Sequence, residues 1–269
     1  SGPMRLLILG GTADARHLAS ALHQTQPCLE LIYSVAGLVR QPQVPATVVS
    51  GGFTQFGGLS AYCKQQNIDG IVNTTHPFSV TMGQHAEQTC HELGLNYWRF
   101  LRPQWQPQTG DDWRLFGTTA ELLSALSSYQ RTLLTIGQIS PKEMALLNAK
   151  QRIWLRTAVQ PKHELPPNVT WIKAIGPFAE AAELALLKRH SIQAIASKNS
   201  GGSSTEAKLT AARSLKVPIF MLQRPHFIGP VEQQFDGLVE RLQAWSRTPM
   251  KSLNKGNRHV QSHSHDQKH

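Results

Sequence analysis

The chain has little with which to build a disulfide framework or a metal centre. Its three cysteines, Cys28, Cys63 and Cys90, are scattered over 269 residues, and none falls at metal-ligand spacing. Isolated thiols suit a reducing compartment, so the expected location is the cytoplasm and no metal is expected. No run of about 18 apolar residues occurs, so no membrane-spanning helix is expected. The start shows no charged-then-apolar leader, and Ser1-Gly2-Pro3 ahead of Met4 reads as an appended scar. No Gly-x-Ser-x-Gly elbow, zinc spacing or Walker sequence appears, which counts against hydrolases, metalloenzymes and phosphate-loop ATPases.

What the chain has is apolar residues enough for real cores, 40% of the total, and a net charge of +10. Residues 247–269 carry five basic side chains against Asp266, a net +4, which leaves +6 for the rest. No dense basic cluster interleaved with aromatics stands out, so nucleic acid is not an expected partner. A mildly basic body suits a polyanionic small molecule equally well.

Short apolar runs alternate with helical patterns. Strands are predicted at 29–33, 47–49, 70–72 and 96–100, after a first one at 6–9, with helices over 59–66 and 79–93. A second alternation places strands at 113–116, 132–136, 153–156, 169–174, 194–197 and 218–222. Helices there fit 120–127, 141–150, 179–189 and 205–215, and an amphipathic helix over 231–245 closes the chain. This βαβ rhythm predicts an α/β fold of two Rossmann-like domains, each a parallel sheet covered on both faces. The expected division is 4–102 for a dinucleotide-binding domain, 103–112 for a linker, 113–246 for a second domain and 247–269 for a disordered tail.

Two turns carry chemistry. Leu6-Leu7-Ile8-Leu9 reads as a buried parallel strand, followed by Gly10-Gly11-Thr12 and the helical Ala13-Asp14-Ala15-Arg16. A strand, a glycine turn and a helix start make a phosphate-type turn, although Thr12 and Ala15 replace two glycines of the full G-x-G-x-x-G pattern. The second turn is Lys198-Asn199-Ser200-Gly201-Gly202-Ser203-Ser204-Thr205-Glu206, after the apolar Ala194-Ile195-Ala196. Glycines let backbone amides approach a ligand, the helix adds its unpaired N–H groups, and Lys198 adds a full charge: a receptor for an anion. The competing reading is a helix start with a Ser203…Glu206 capping box.

These two segments, with Gly51-Gly52-Phe53, Thr75-His76-Pro77-Phe78 and Arg99-Phe100-Leu101-Arg102-Pro103 in that order, resemble the precorrin-6A reductase family, which includes the cobalt-precorrin-6A reductases of cobalamin biosynthesis. The resemblance runs from about Met4 to Pro225. Two departures stand out: Asn73 holds a place where that family commonly has aspartate, and Thr54-Gln55-Phe56 separates Gly52-Phe53 from Gly57-Gly58. The resemblance implies reduction of a ring double bond of precorrin-6A or its cobalt form by a nicotinamide cofactor, in a cleft between two domains. The implied partner is a polycarboxylate tetrapyrrole, and the protein is expected to be a monomer or weak dimer.

For the cofactor, the end of strand two reads Tyr33-Ser34-Val35-Ala36-Gly37, with no acid for the ribose 2′-hydroxyl of NADH. Neutral Ser34 tolerates a 2′-phosphate, and Arg16 or Arg40 is placed to pair with one, so NADPH is preferred over NADH. The candidate cofactor contacts are Gly10, Gly11, Thr12, Arg16, Ser34, Gly37, Gly52, Phe53, Thr75 and His76. The candidate substrate contacts are Pro77, Lys198, Asn199, Ser200, Gly201, Gly202 and Thr205. Phe78 is assigned to the core. Arg99 and Arg102 are read either as carboxylate binders or as stems covering apolar surface. Trp98, Trp105, Trp113, Trp154 and Trp171 are read as packing anchors, and Gly176-Pro177-Phe178 as another helix start. No catalytic residue is fixed: Lys198, His76 and solvent are the candidates for proton donor. The rival functions are a non-catalytic nucleotide- or sugar-phosphate-binding module and an NADP-dependent oxidoreductase of another small metabolite.

Overall fold

Continuous apolar strands separated by amphipathic helices can bury both faces of a sheet only if the helices divide between them. That arrangement is found twice in the computed structural model, which describes residues 2–37, 42–227 and 229–248. Arg40 and most of the expected tail lie outside the described residues.

The first unit takes the chain up to Arg102 and again from Pro225. It holds β1 (Arg5–Leu9), α1 (Ala13–Thr25), β2 (Glu30–Val35), β3 (Thr47–Ser50), a 3-10 turn (Thr54–Phe56), α2 (Leu59–Gln65), β4 (Gly70–Asn73), α3 (Val80–Leu93) and β5 (Asn96–Arg99). The strand order is β3-β2-β1-β4-β5, with every pair parallel. Leu6 and Ile8 face a core made with Leu18 and Leu22 of α1, while Leu7 and Leu9 face Leu59 of α2 and Ala86 and Cys90 of α3.

The second unit spans Pro103–Arg224. Its elements are β6 (Trp113–Phe116), α4 (Thr119–Leu126), β7 (Arg131–Thr135), α5 (Pro141–Met144), β8 (Arg152–Thr157), β9 (Val169–Lys173), α6 (Glu180–Arg189), β10 (Ala194–Lys198), α7 (Ala207–Leu215) and β11 (Ile219–Leu222). The order is β6-β11-β10-β7-β8-β9, again all parallel.

Four expectations need correcting. The closing helix, α8 (Phe235–Ser246), belongs to the first unit and not the second. Its Leu238 and Leu242 join α1 in covering the first sheet, and Trp245 meets Trp98 edge-on at 5.1 Å. Periodicity reveals such a helix but not the sheet it covers. Residues 103–112 are no free linker: Trp105 is buried in the second core, and Arg213 reaches Asp111 at 2.8 Å. Helix α5 is one turn long, and where it was expected to continue the chain makes i→i+3 bonds, Leu146 to Glu143 and Leu147 to Met144, followed by a separate turn in which Asn148 accepts from the Lys150 amide (2.9 Å). Helix α7 starts at Ala207 without the Ser203…Glu206 capping box, since Glu206 is itself in helical geometry at the cap and makes no side-chain cap bond.

Candidate cofactor and anion-binding loops

In the first sheet the strand order reverses between β1 and β4, so the loops after these strands flank a switch point. Thr12 joins them. Its hydroxyl accepts from the Ala15 amide (3.1 Å), capping α1, and donates to the Thr74 carbonyl (2.7 Å). The Thr74 hydroxyl in turn donates to the Leu9 carbonyl (2.8 Å).

The Gly10-Gly11 turn is shaped from beneath. Gly10 donates to the Ser34 carbonyl (2.7 Å), and a Cβ on Gly10 would lie 2.3 Å from Cζ of Tyr33. The Tyr33 hydroxyl accepts from the Gly11 amide (3.0 Å). Burial pushes the Tyr33 phenol above its ordinary value, while the Gly11 amide and the adjacent Arg16 guanidinium pull it part of the way back. Gly11 has φ +101° and open space where a Cβ would stand, so a ligand can approach its backbone.

The other candidates of this unit fall into three environments. Thr75 and His76 are half-buried on the loop after β4, where His76 Nδ1 accepts from the Phe78 amide (3.2 Å). Gly37 is exposed, and Gly52 has φ +80° with open space beside it. Ser34, Phe53 and Pro77 are buried, Phe53 within the core beside Tyr62. Phe78, assigned to the core from sequence, is only half-buried and lies 5.5 Å from the His76 ring. Arg102 takes a carboxylate of its own chain, Asp14 in the first turn of α1 (2.7 Å), and covers the Phe100 and Phe235 rings.

The second sheet reverses between β7 and β10, and Lys198 ends β10 at that point. A Cβ on Gly137, in the loop after β7, would stand 3.4 Å from its Nζ. Burial lowers the Lys198 amine from its ordinary value, and Glu143 partly restores it. The loop after Lys198 is held in place by hydrogen bonds. Buried Asn199 accepts from the Trp105 amide (2.9 Å) and donates to the Trp105 carbonyl (3.1 Å), and Trp105 Nε1 donates to the Gly202 carbonyl (2.8 Å). Arg224 donates to the Ser200 carbonyl (2.8 Å), and the Ser200 and Thr205 hydroxyls lie 3.4 Å apart. Asn199 is thus a structural bracket here, and Lys198 and the Gly202 backbone are the parts suited to an anion. Behind them Lys208 is buried, its amine 5.7 Å from the Trp105 ring, and burial followed by the Arg156 charge pushes it down to about 7.

Trp105 is the packing anchor expected from sequence, but reading the sequence missed the hold that Tyr33, Trp105 and Arg99 have on these loops. Each reaches its loop through tertiary contact, and only the inward register of Tyr33 on strand two hinted at such a role.

Two all-parallel sheets, each with glycine-bearing loops at its switch point, define a doubly wound α/β protein of the kind that binds anionic ligands at strand ends. The family described as precorrin-6x reductase CbiJ/CobK matches residues 5–246. A precorrin-6A reductase of Rhodococcus erythropolis is 38% identical over 250 residues, 91% of this chain and 98% of the relative. That of Mycobacterium tuberculosis strain H37Rv is 38% identical over 227 residues, 82% and 89%. The solved structure of a CobK precorrin-6A reductase superposes with a TM-score of 0.83 at 31% identity, covering 92% of this chain and 99% of that one. The chain belongs to the precorrin-6x reductase family.

Proposed function

We propose that this protein is an NADPH-dependent precorrin-6A reductase of cobalamin biosynthesis. The observation that carries the cofactor assignment is the turn after β1: exposed Gly11 with φ +101° and open space beside it, Thr12 capping α1, and Arg16 against the end of β2, where no acid stands. A pyrophosphate fits a glycine turn at a helix start, and a guanidinium fits a 2′-phosphate. Bound NADPH supplies a hydride to a ring double bond of the macrocycle.

The chain's own residues then bind, orient and exclude water. The Gly10–Thr12 turn and Arg16 hold the dinucleotide. Thr75 and His76, tied to that turn through the Thr12–Thr74 bond, line its reactive end. Lys198 and the Gly202 backbone receive a substrate carboxylate. With Nδ1 accepting from the Phe78 amide, the neutral His76 ring carries its proton on Nε2.

The test is NADPH oxidation measured in parallel with precorrin-6A and cobalt-precorrin-6A, and again with NADH. Turnover with precorrin-6A and NADPH supports the assignment. No oxidation with either macrocycle sinks it, and faster turnover with NADH sinks the cofactor preference.

A further inference from the structure

Arg99 ends β5 and is 5% exposed. Its sequence position reads as a carboxylate binder or an apolar cover, and the structure turns its head onto backbone carbonyls. Its Nη1 donates to the carbonyls of Thr75 (2.9 Å), Asn73 (3.2 Å) and Phe100 (3.2 Å) and to Asn73 Oδ1 (3.3 Å). Its Nη2 donates to the His76 carbonyl (3.2 Å). Asn73 Oδ1 also accepts from the Thr75 amide (3.0 Å) and hydroxyl (2.7 Å), while its Nδ2 donates to Tyr97 (3.2 Å). The Phe227 ring lies 5.5 Å from the guanidinium carbon.

A buried guanidinium therefore fixes two consecutive carbonyls, those of Thr75 and His76, in a loop with no repetitive structure of its own. A planar fork can hold several acceptors in set directions, whereas an ammonium is a point donor on a flexible stem. A stem that merely covered apolar surface would carry its head to water. With the His76 backbone held by Arg99 and its ring held by the Phe78 amide, the imidazole presents one tautomer in one direction.

We propose that Arg99 is a positioning residue for the reduction: it touches neither cofactor nor substrate, and sets the Thr75–His76 backbone and the His76 tautomer from behind. This rests on the assignment of that loop to the reactive end of the cofactor site. A misplacement of about 1 Å in such a loop is enough to cost about a hundredfold in rate.

The experiment compares wild type with Arg99→Lys, which keeps the charge and loses the fork. Three measurements are made: NADPH affinity, kcat with precorrin-6A well below Tm, and the His76 tautomer by 15N NMR, assigned with His76→Gln. The expected result is a folded variant whose NADPH Kd stays within about twofold, whose kcat falls about tenfold or more, and whose His76 signal shifts from the Nε2–H tautomer to a mixture. An unchanged kcat overturns the proposal. So does a loss of kcat that vanishes on cooling, or one matched by an equal loss of NADPH affinity. If wild type itself fails to turn over, the functional assignment falls; the tautomer then decides alone, and an unchanged tautomer in Arg99→Lys overturns the clamp.

Discussion

In the first unit, the turn after β1 is propped from beneath by a tyrosine of the neighbouring strand. In the second, the turn after β10 is bracketed by Trp105 and Asn199 and carries Lys198 at its entrance. The first offers neutral backbone donors with an arginine at its side, which suits phosphates. The second offers an ammonium of lowered pKa, which suits a single carboxylate. The glycines differ in what stands at their Cβ positions. Gly10 and Gly201 are glycine because another group already occupies the Cβ position, while Gly11 has positive φ and open space, and Gly202 has positive φ.

The largest effect should come from breaking that division. A Cβ on Gly201 would lie 2.3 Å from the Pro103 carbonyl oxygen at φ +70°. Gly201→Ala should therefore cost about 2–6 kcal/mol, overpacking and backbone strain combined. Gly11→Ala, at φ +101° with open space beside it, meets only the strain, about 1–3 kcal/mol. Urea unfolding of the pair checks this, and equal losses would erase the distinction between occupied and open glycines.

Lys198→Ala probes the charge that only the second turn carries. Loss of one charged hydrogen bond costs about 1.5–3 kcal/mol, so KM for precorrin-6A should rise roughly 10- to 150-fold with kcat little changed. If Lys198 also supplies the proton, kcat falls too. The pH profile sharpens the test. The amine binds a carboxylate only when protonated, and burial lowers its pKa, so KM should climb on the alkaline side earlier than an exposed lysine would allow. Lys198→Ala should lack that limb.

Arg16→Ala addresses the first turn. NADPH should bind about tenfold more weakly and NADH almost unchanged, because only NADPH carries the 2′-phosphate. Titration of both nucleotides checks this, and equal weakening would move the 2′-phosphate contact elsewhere.

These contrasts follow what periodicity could and could not supply. The strands β1, β4 and β10 and both glycine turns were readable, because an apolar run followed by glycine and an amphipathic pattern is a local signal. The owner of α8 was not, since the Leu238–Leu242 stripe fits either sheet. Nor was the shortness of α5 or the absent cap at Glu206. Around the loops, the residues readable from sequence are those that open outward, such as Gly11 and Lys198. Those that hold the loops in place, Tyr33, Arg99 and Trp105, stand on other segments, and nothing local connects them to the turns they shape.

The smallest expected effect tests whether the first turn is truly held from beneath. Tyr33→Phe keeps the ring against Gly10 and deletes only the hydroxyl that accepts from Gly11. A neutral hydrogen bond contributes about 0.5–1.5 kcal/mol net, and the low end applies because exposed Gly11 can turn its amide to water. The pH dependence carries a definite sign. Burial raises the folded phenol above its ordinary 10.0, so the folded state keeps its proton where the unfolded chain releases it. Tyr33's contribution is full below about pH 10 and is lost as pH rises through the folded value. The stability gap between wild type and Tyr33→Phe should thus stay level up to about pH 10 and shrink above it. A gap that stays level well into the alkaline range would mean the hydroxyl is not sealed beneath the turn, and the first loop would then lack the internal prop that Trp105 gives the second.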